Sequence, residues 1–257
     1  MTSIINLNAD MGEGFGLYDI GDDLGMLDAV SSANIACGFH GGDPTVMRRT
    51  VKAAAAKGVS IGAHPGFADI QGFGRRRIDL SPAEVENLVA YQIGALCALA
   101  SLEGARVTHV KPHGALSNIS ATEDSWARAI AHAIRTVDNS LIFLAIAGSA
   151  MERAGHEAGL RVAREGFCDR QYEEDGNLVS RKIEGSVYRD PAPAVRQVLE
   201  MLDGRLTTRS GKVVACRVDS LCIHGDEPTG TAIARAVRKE LDVRGVIVAT
   251  LPDMTLS

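Results

Sequence analysis

A closed or nearly closed α/β barrel, built from seven or eight βα units, is the fold that this sequence predicts. Three observations lead there. Short apolar runs alternate with longer stretches of helical periodicity along the whole chain, the pattern of βα units around a parallel sheet. No linker rich in Pro, Gly or Ser and no repeat of fixed period interrupts the 257 residues, so residues 1–257 read as one domain, and α/β barrels of this size commonly form a single unit. Polar and ionisable residues collect at the C-terminal ends of the predicted strands, the face on which parallel barrels build their sites. An open doubly wound sheet is the alternative assembly of the same units.

The strands are expected at Ile4–Asn8, Asn34–Gly38, Ser60–His64, Thr108–Lys111, Leu141–Ile146, Arg161–Glu165, Ser220–His224 and Gly245–Ala249. Helices are expected at Pro44–Lys57, Pro82–Leu102, Glu123–Val137, Ser149–Ala158, Pro191–Leu202 and Gly230–Leu241. Ser81-Pro82-Ala83-Glu84 reads as a capping box with Pro at the first helical position. Behind it Val85, Leu88, Val89, Ile93, Leu96 and Leu99 form one apolar stripe, as a core-facing helix requires. Asp43-Pro44 marks another helix start. Residues 167–189 and 207–213 are polar and turn-rich, and read as insertions or hairpins, the first of them a lid.

Composition excludes several functions. The net charge is −5 with charges scattered, so no basic face recommends nucleic acid or an anionic membrane. No uncharged apolar run reaches the roughly 18 residues of a membrane span, and the N-terminus carries no signal-peptide apolar region. Five cysteines, an odd number without a C-x-x-C pair, suit a reducing cytoplasm.

The candidate chemistry lies at the strand ends. The first strand leads to Asn8, Asp10 and Glu13, the second to Cys37, His40 and Asp43, the third to His64 and then Asp69. Lys111 and His113 follow the fourth, in register with His109; Glu165, Asp169 and Arg170 follow a later strand, and His224 and Asp226 the last clear one. Four of the seven histidines (His40, His64, His113, His224) stand at a strand end just before Gly or Pro. One such histidine is commonly a hydrogen-bonded loop residue, but four in the same topological position point to a shared pocket. Imidazoles there can act as acid, base or metal ligand, and Asp10, Glu13, Asp43 and Asp226 add carboxylates. No local spacing such as H-E-x-x-H specifies a metal. Lys111 has a plainer reading as the ion-pair partner of Asp10 or Glu165, and Cys37 as a small buried thiol. Gly12-Glu13-Gly14-Phe15-Gly16 lacks the last glycine of a dinucleotide loop, since Leu17 stands in its place, and no P-loop occurs. Gly72-Phe73-Gly74-Arg75-Arg76-Arg77 joins flexible backbone to guanidinium groups, which suits a carboxylate or phosphate as well as a solvated surface.

These strings together resemble the LamB/YcsF family. The resemblance rests on Asn6–Gly16 (NLNADMGEGFG), Asn34–Pro44 (NIACGFHGGDP), Gly62–Gly66 (GAHPG), Gln71–Arg76 (QGFGRR), His109–Leu116 (HVKPHGAL), Asp169-Arg170 and Cys222–Asp226 (CIHGD). They occur in family order from Asn6 to about Leu241; Ser117 replaces a usual Tyr, and Cys168 a usual Ala. The resemblance implies a distorted (β/α)7-type barrel related to glycoside hydrolases and polysaccharide deacetylases. It implies a 5-oxoprolinase that opens 5-oxo-L-proline to L-glutamate at the expense of ATP, with Mg2+ accompanying ATP and no organic cofactor. In that complex this chain is the A subunit, beside separately encoded B and C subunits. Asp10, His40, His64, Lys111 and His113 are then the expected catalytic groups. Glu13, Asp43, Arg75, Glu165, Arg170, His224 and Asp226 are the expected substrate-binding groups. A metal-dependent deacetylase or amidohydrolase acting alone is the alternative.

Overall fold

The computed structural model describes residues 3–226 and 228–256. In chain order the elements are β1 (Ile4–Met11), α1 (Asp23–Met26), β2 (Ser32–Ala36), α2 (Pro44–Ala56), β3 (Ser60–His64), α3 (Pro82–Leu102) and β4 (Val107–Val110). There follow α4 (Gly114–Ser120), α5 (Asp124–Val137), β5 (Ile142–Ile146), α6 (Ala150–Glu157), β6 (Val162–Phe167) and α7 (Pro191–Leu202). The hairpin of β7 (Arg205–Thr207) and β8 (Val213–Ala215), then β9 (Ser220–Ile223), α8 (Gly230–Val243), β10 (Ile247–Val248) and a 3-10 turn (Leu251–Asp253) complete the chain.

Strands β1, β2, β3, β4, β5, β6 and β9 are joined in that order, all parallel, and β9 pairs back onto β1. The barrel is therefore closed, with seven strands, and the open-sheet alternative falls. β10 pairs with the first residues of β1, Ile4 and Ile5, outside this ring. The polar stretch at 207–213 is the turn of the β7–β8 hairpin. Residues 167–189 hold isolated antiparallel bridges, Arg170 to Val187 and Tyr172 to Leu178. The sequence reading placed β2 two residues too late and passed over α1 and α4, which are short and begin within Gly-containing stretches.

Local signals fix the helix starts. Ser81 Oγ accepts from Glu84 N, and Glu84 Oε2 accepts from Ser81 N at 2.7 Å, so the capping box is complete. Asp43 Oδ1 accepts from Thr45 N at 2.7 Å and Val46 N at 3.0 Å at the head of α2. Helix α3 is long and apolar enough to cross a membrane by length and composition. Here its stripe of Val85, Val89, Ile93, Leu96 and Ala100 is buried in the main core cluster.

Along β1 the alternation of side chains sends Leu7, Ala9 and Met11 into the core shared with the helices, and Asn6, Asn8 and Asp10 into the barrel. Branched aliphatic residues usually fill such interiors, but this one holds a hydrogen-bonded column. Asn6 donates to Ser32 Oγ (2.7 Å), which meets Ser60 Oγ (2.7 Å); Ser220 Oγ donates to Asn6 Oδ1 (2.6 Å) and accepts from Asn8 Nδ2 (2.7 Å). Above them Asn34 Nδ2 donates to Asn8 Oδ1 (2.8 Å) and Asp10 Oδ1 (2.9 Å), and its Oδ1 accepts from His109 Nε2 (3.0 Å). Burial of these groups is tolerable because they satisfy one another. An apolar plug of Ile142, Leu144, Ala163, Leu251 and Met254 forms a second, separate cluster.

Gly62 makes room for this column, since a Cβ there would overlap the His109 ring. Gly62→Ala should lower stability by about 1–3 kcal/mol, the usual cost of overpacking, in urea unfolding followed by circular dichroism. An unchanged midpoint would show that the ring is not held against β3.

Candidate active site

The site begins where the polar column ends. Lys111 leaves β4 into the barrel, 3% exposed. Its ammonium donates to Asp10 Oδ1 (2.7 Å) and Cys222 Sγ (3.0 Å), and Glu165 Oε1 completes an ion pair at 3.1 Å. Burial opposes the charge on Lys111, but Asp10, Cys222 and Glu165 outweigh it and raise its pKa well above the ordinary value. Burial likewise works against ionised Asp10, yet His64 and Lys111 hold its carboxyl well below the usual range. Glu165 and Glu13 go the other way, raised chiefly by burial.

Three imidazoles pack beside this pair. His64 Nδ1 lies 2.7 Å from the Lys111 carbonyl, and His113 Nε2 lies 2.8 Å from the Phe73 carbonyl. A carbonyl only accepts, so each of these nitrogens carries its proton and the opposite one is turned inward. His64 Nε2 and His113 Nδ1 then face each other at 2.9 Å. Two lone pairs repel at that distance, so a proton or a metal cation belongs between them. Carboxyl groups flank the gap: Asp10 Oδ2 is 3.3 Å from His64 Nε2, and Glu13 Oε1 is 3.4 Å from His113 Nδ1. His40 stacks on His113 with centroids 3.6 Å apart and reaches Glu13 Oε1 at 3.2 Å. Burial lowers the pKa of both His40 and His113 well below that of a free imidazole.

Glu13, His40, His64 and His113 each present one donor atom, all within 4.8 Å of one another. Such nitrogen and oxygen donors suit a borderline divalent ion. Because His40 and His113 lie parallel, both cannot aim an in-plane lone pair at one ion. Glu13, His64 and His113 are the set that fits, and a metal there would polarise a carbonyl oxygen.

A cavity of about 710 Å³ opens above these groups. Asp10, His64, Lys111 and His113 line it together with Arg75, Phe167, Arg170, His224 and residues 177–182. Arg75 Nη2 binds Asp226 Oδ2 at 2.6 Å and its guanidinium lies over the Phe73 ring. His224 Nδ1 meets both oxygens of Asp169 at 2.8 and 3.0 Å, and its ring stacks on Phe167. Glu13 and His40 lie behind the histidine pair, and Glu165 behind Lys111. Asp43 does not join them. Its carboxylate caps α2 and also accepts from Gly16 N at 2.8 Å. Asp69 is likewise spent on Arg76. Cys37 is a buried thiol, pushed up to about 12 by burial.

The sequence reading missed Cys222 as a partner of Lys111 and Phe73 as the group that orients His113. Phe73 sits between two glycines and has φ of 54°, the left-handed region that non-glycine residues seldom occupy. Its flanking glycines were the available signal.

A parallel barrel that gathers histidines, carboxylates and one lysine at the base of a cavity defines a class: barrel proteins equipped for proton transfer at a polar centre. The chain belongs to the LamB/YcsF family, whose model matches residues 5–256. It is 55% identical over 247 residues to the 5-oxoprolinase A subunit of Rhodopseudomonas palustris, covering 95% of this chain and 97% of that one. The protein of the same name from Methylococcus capsulatus is 52% identical over 252 residues, covering 98% and 97%. Among solved structures, a lactam utilization protein from Thermus thermophilus superposes with a TM-score of 0.91 at 45% identity, covering 96% of this chain and 100% of that one. A putative cellobiose-phosphate cleavage protein from Enterococcus faecalis, at 12% identity and a TM-score of 0.57 with 97% and 98% covered, shares the fold alone.

His109, beneath the site, offers a test of the electrostatics. Burial, then Lys111 and His64, push its pKa down to about 3. A depressed pKa contributes stability above the unfolded value near 6.5, lost as pH falls towards the folded one. His109→Asn should therefore remove about 1.4 kcal/mol per pH unit of acid destabilisation between roughly pH 6 and 4. Urea titrations of both proteins across that range measure it; parallel pH profiles would mean that His109 titrates normally.

Proposed function

We propose that this chain is the A subunit of an ATP-dependent 5-oxoprolinase and acts with separate B and C subunits. The observation that carries the reading is the convergence of an ionised Asp10, the His64–His113 pair and Lys111 at the base of one cavity. Its support is the family and the names of the relatives. A lactam carbonyl is an amide carbonyl, protected from water by resonance. Transfer of the γ-phosphoryl group of ATP to the carbonyl oxygen would make that carbon electrophilic. Water then attacks the carbon, the C–N bond breaks as the ring nitrogen takes up a proton, and a second water releases phosphate from the resulting acyl phosphate to give L-glutamate.

In this reading Asp10 accepts the proton of the attacking water, because Lys111 and His64 keep it ionised despite burial. The proton shared by His64 and His113 passes to the ring nitrogen. His40 and Glu13 hold the pair in place. Lys111 is enclosed by its own acceptors, so its part is to set the charge on Asp10 rather than to grip phosphate. ATP, with Mg2+, is held by the partner subunits, in keeping with a sequence that has no P-loop. The cytoplasm is the compartment that supplies ATP.

One observation favours a second reading. The donor set of Glu13, His64 and His113 would suit a metal-dependent deacetylase or amidohydrolase acting without ATP. Stoichiometric zinc in the purified chain, with hydrolysis of N-acetyl sugars, would establish it.

In the reconstituted three-subunit complex, Asp10→Asn and His113→Ala should each reduce ATP-dependent glutamate formation by about a hundredfold or more, with unchanged circular dichroism. The chain alone should form little glutamate. Near-normal turnover in both variants would remove Asp10 and His113 from the chemistry.

A further inference from the structure

Cations meet the cavity from several sides, and those nearest its base are already matched. Lys111 is enclosed by Asp10, Glu165 and Cys222, and Arg75 is bound to Asp226. Arg170 differs. It stands where the chain leaves β6 for the segment 167–189, lines the cavity, and is 5% exposed. Of its three guanidinium nitrogens Nη2 alone has a partner among the described residues, donating to the Val179 carbonyl at 2.5 Å. Nε is sealed from solvent without one. Arg170 forms no ion pair among the described residues, and the adjacent Asp169 spends both carboxylate oxygens on His224. Burial accordingly pulls the guanidinium pKa down to about 10.

A buried cation with unused donors is costly, and the cost is recovered when an anion arrives. A guanidinium offers a planar fork that matches a carboxylate. The cavity lining also includes Phe167 and Ile146, apolar side chains that suit the face of a small ring. We infer that Arg170 is the receptor for the substrate's carboxylate, orienting the lactam so that its amide faces the His64–His113 pair. The inference rests on the 5-oxoprolinase reading and adds to it the group that reads the acid. The carboxylate is the charge present when the substrate enters, before any phosphate is attached, and so it is the charge a permanent cation matches. Because Nη2 also grips Val179, the same residue ties the segment over the cavity to the bound anion.

The test compares 5-oxo-L-proline with its neutral carboxamide, using the three-subunit complex and Arg170→Met and Arg170→Lys variants. Loss of a charged hydrogen-bonded pair should raise KM for the acid by about a hundredfold in Arg170→Met, leave the carboxamide within about threefold, and change kcat less than KM. Arg170→Lys, which keeps the charge and loses the fork, should recover part of the loss. Equal losses for acid and carboxamide, or no loss for the acid, would overturn the assignment. So would competition by inorganic phosphate that Arg170→Met abolishes while the preference for the acid is unmoved, since the cation would then serve a phosphoryl group. If Arg170→Met does not fold, Arg170→Lys carries the same comparison. If the complex does not hydrolyse 5-oxo-L-proline at all, the functional reading fails. Calorimetry of acid against carboxamide on the purified chain then decides Arg170 separately: preference for the acid, lost in the variant, upholds the anion site, and its absence ends it.

Discussion

The buried ammonium of Lys111 is the constraint on which the site depends. Taking such a charge out of water costs several kcal/mol, and only closure of the barrel supplies the compensation. Asp10 comes from β1, Glu165 from β6 and Cys222 from β9, strands that meet where the ring closes. Asp10 also accepts from Asn34 on β2. One cation thus draws on strands from both sides of the ring, and it helps to keep the Asp10 carboxylate ionised. Stability of the fold and charge state of the site are here a single property.

The histidines obey a second rule, set by backbone rather than by side chains. Carbonyls of Lys111 and Phe73 take one nitrogen each from His64 and His113, which determines where the other nitrogens point. The unusual φ of Phe73 aims that carbonyl, and strained backbone of this kind is commonly retained where a site needs it. Because carbonyls neither gain nor lose protons, the orientation of the pair is insensitive to the protonation state of its surroundings.

Much of this was legible in the sequence, for identifiable reasons. The alternation of apolar runs and capped helices exposed the βα units, and the Ser81 and Asp43 caps formed as written. Four strand-end histidines announced a cavity because strand direction carries them to one face. What escaped was whatever depends on contact between distant segments. Asp43 looked like a site carboxylate but is consumed by its own helix, a use that the following Pro44 already hinted at. Nothing local distinguishes Cys222 from Cys37, although the first lies against an ammonium and the second against a backbone carbonyl. The polar filling of the barrel was equally hidden, since nothing local shows that Asn8, at a predicted strand end, bonds to Asn34, at the start of the next predicted strand, and to Ser220.

The pairing of β1 with β9 joins Asn6 to Ser220 and Asn8 to Cys222, among the most distant contacts along the chain. Contacts of such separation are slow to form, because the intervening chain must be gathered first. Until that seam is sewn, the asparagine column and Lys111 remain wet, and no dry interior exists in which Asp10 can be tuned. The charge state of Asp10 and Lys111 is therefore tied to the closing of the ring rather than to the appearance of its helices.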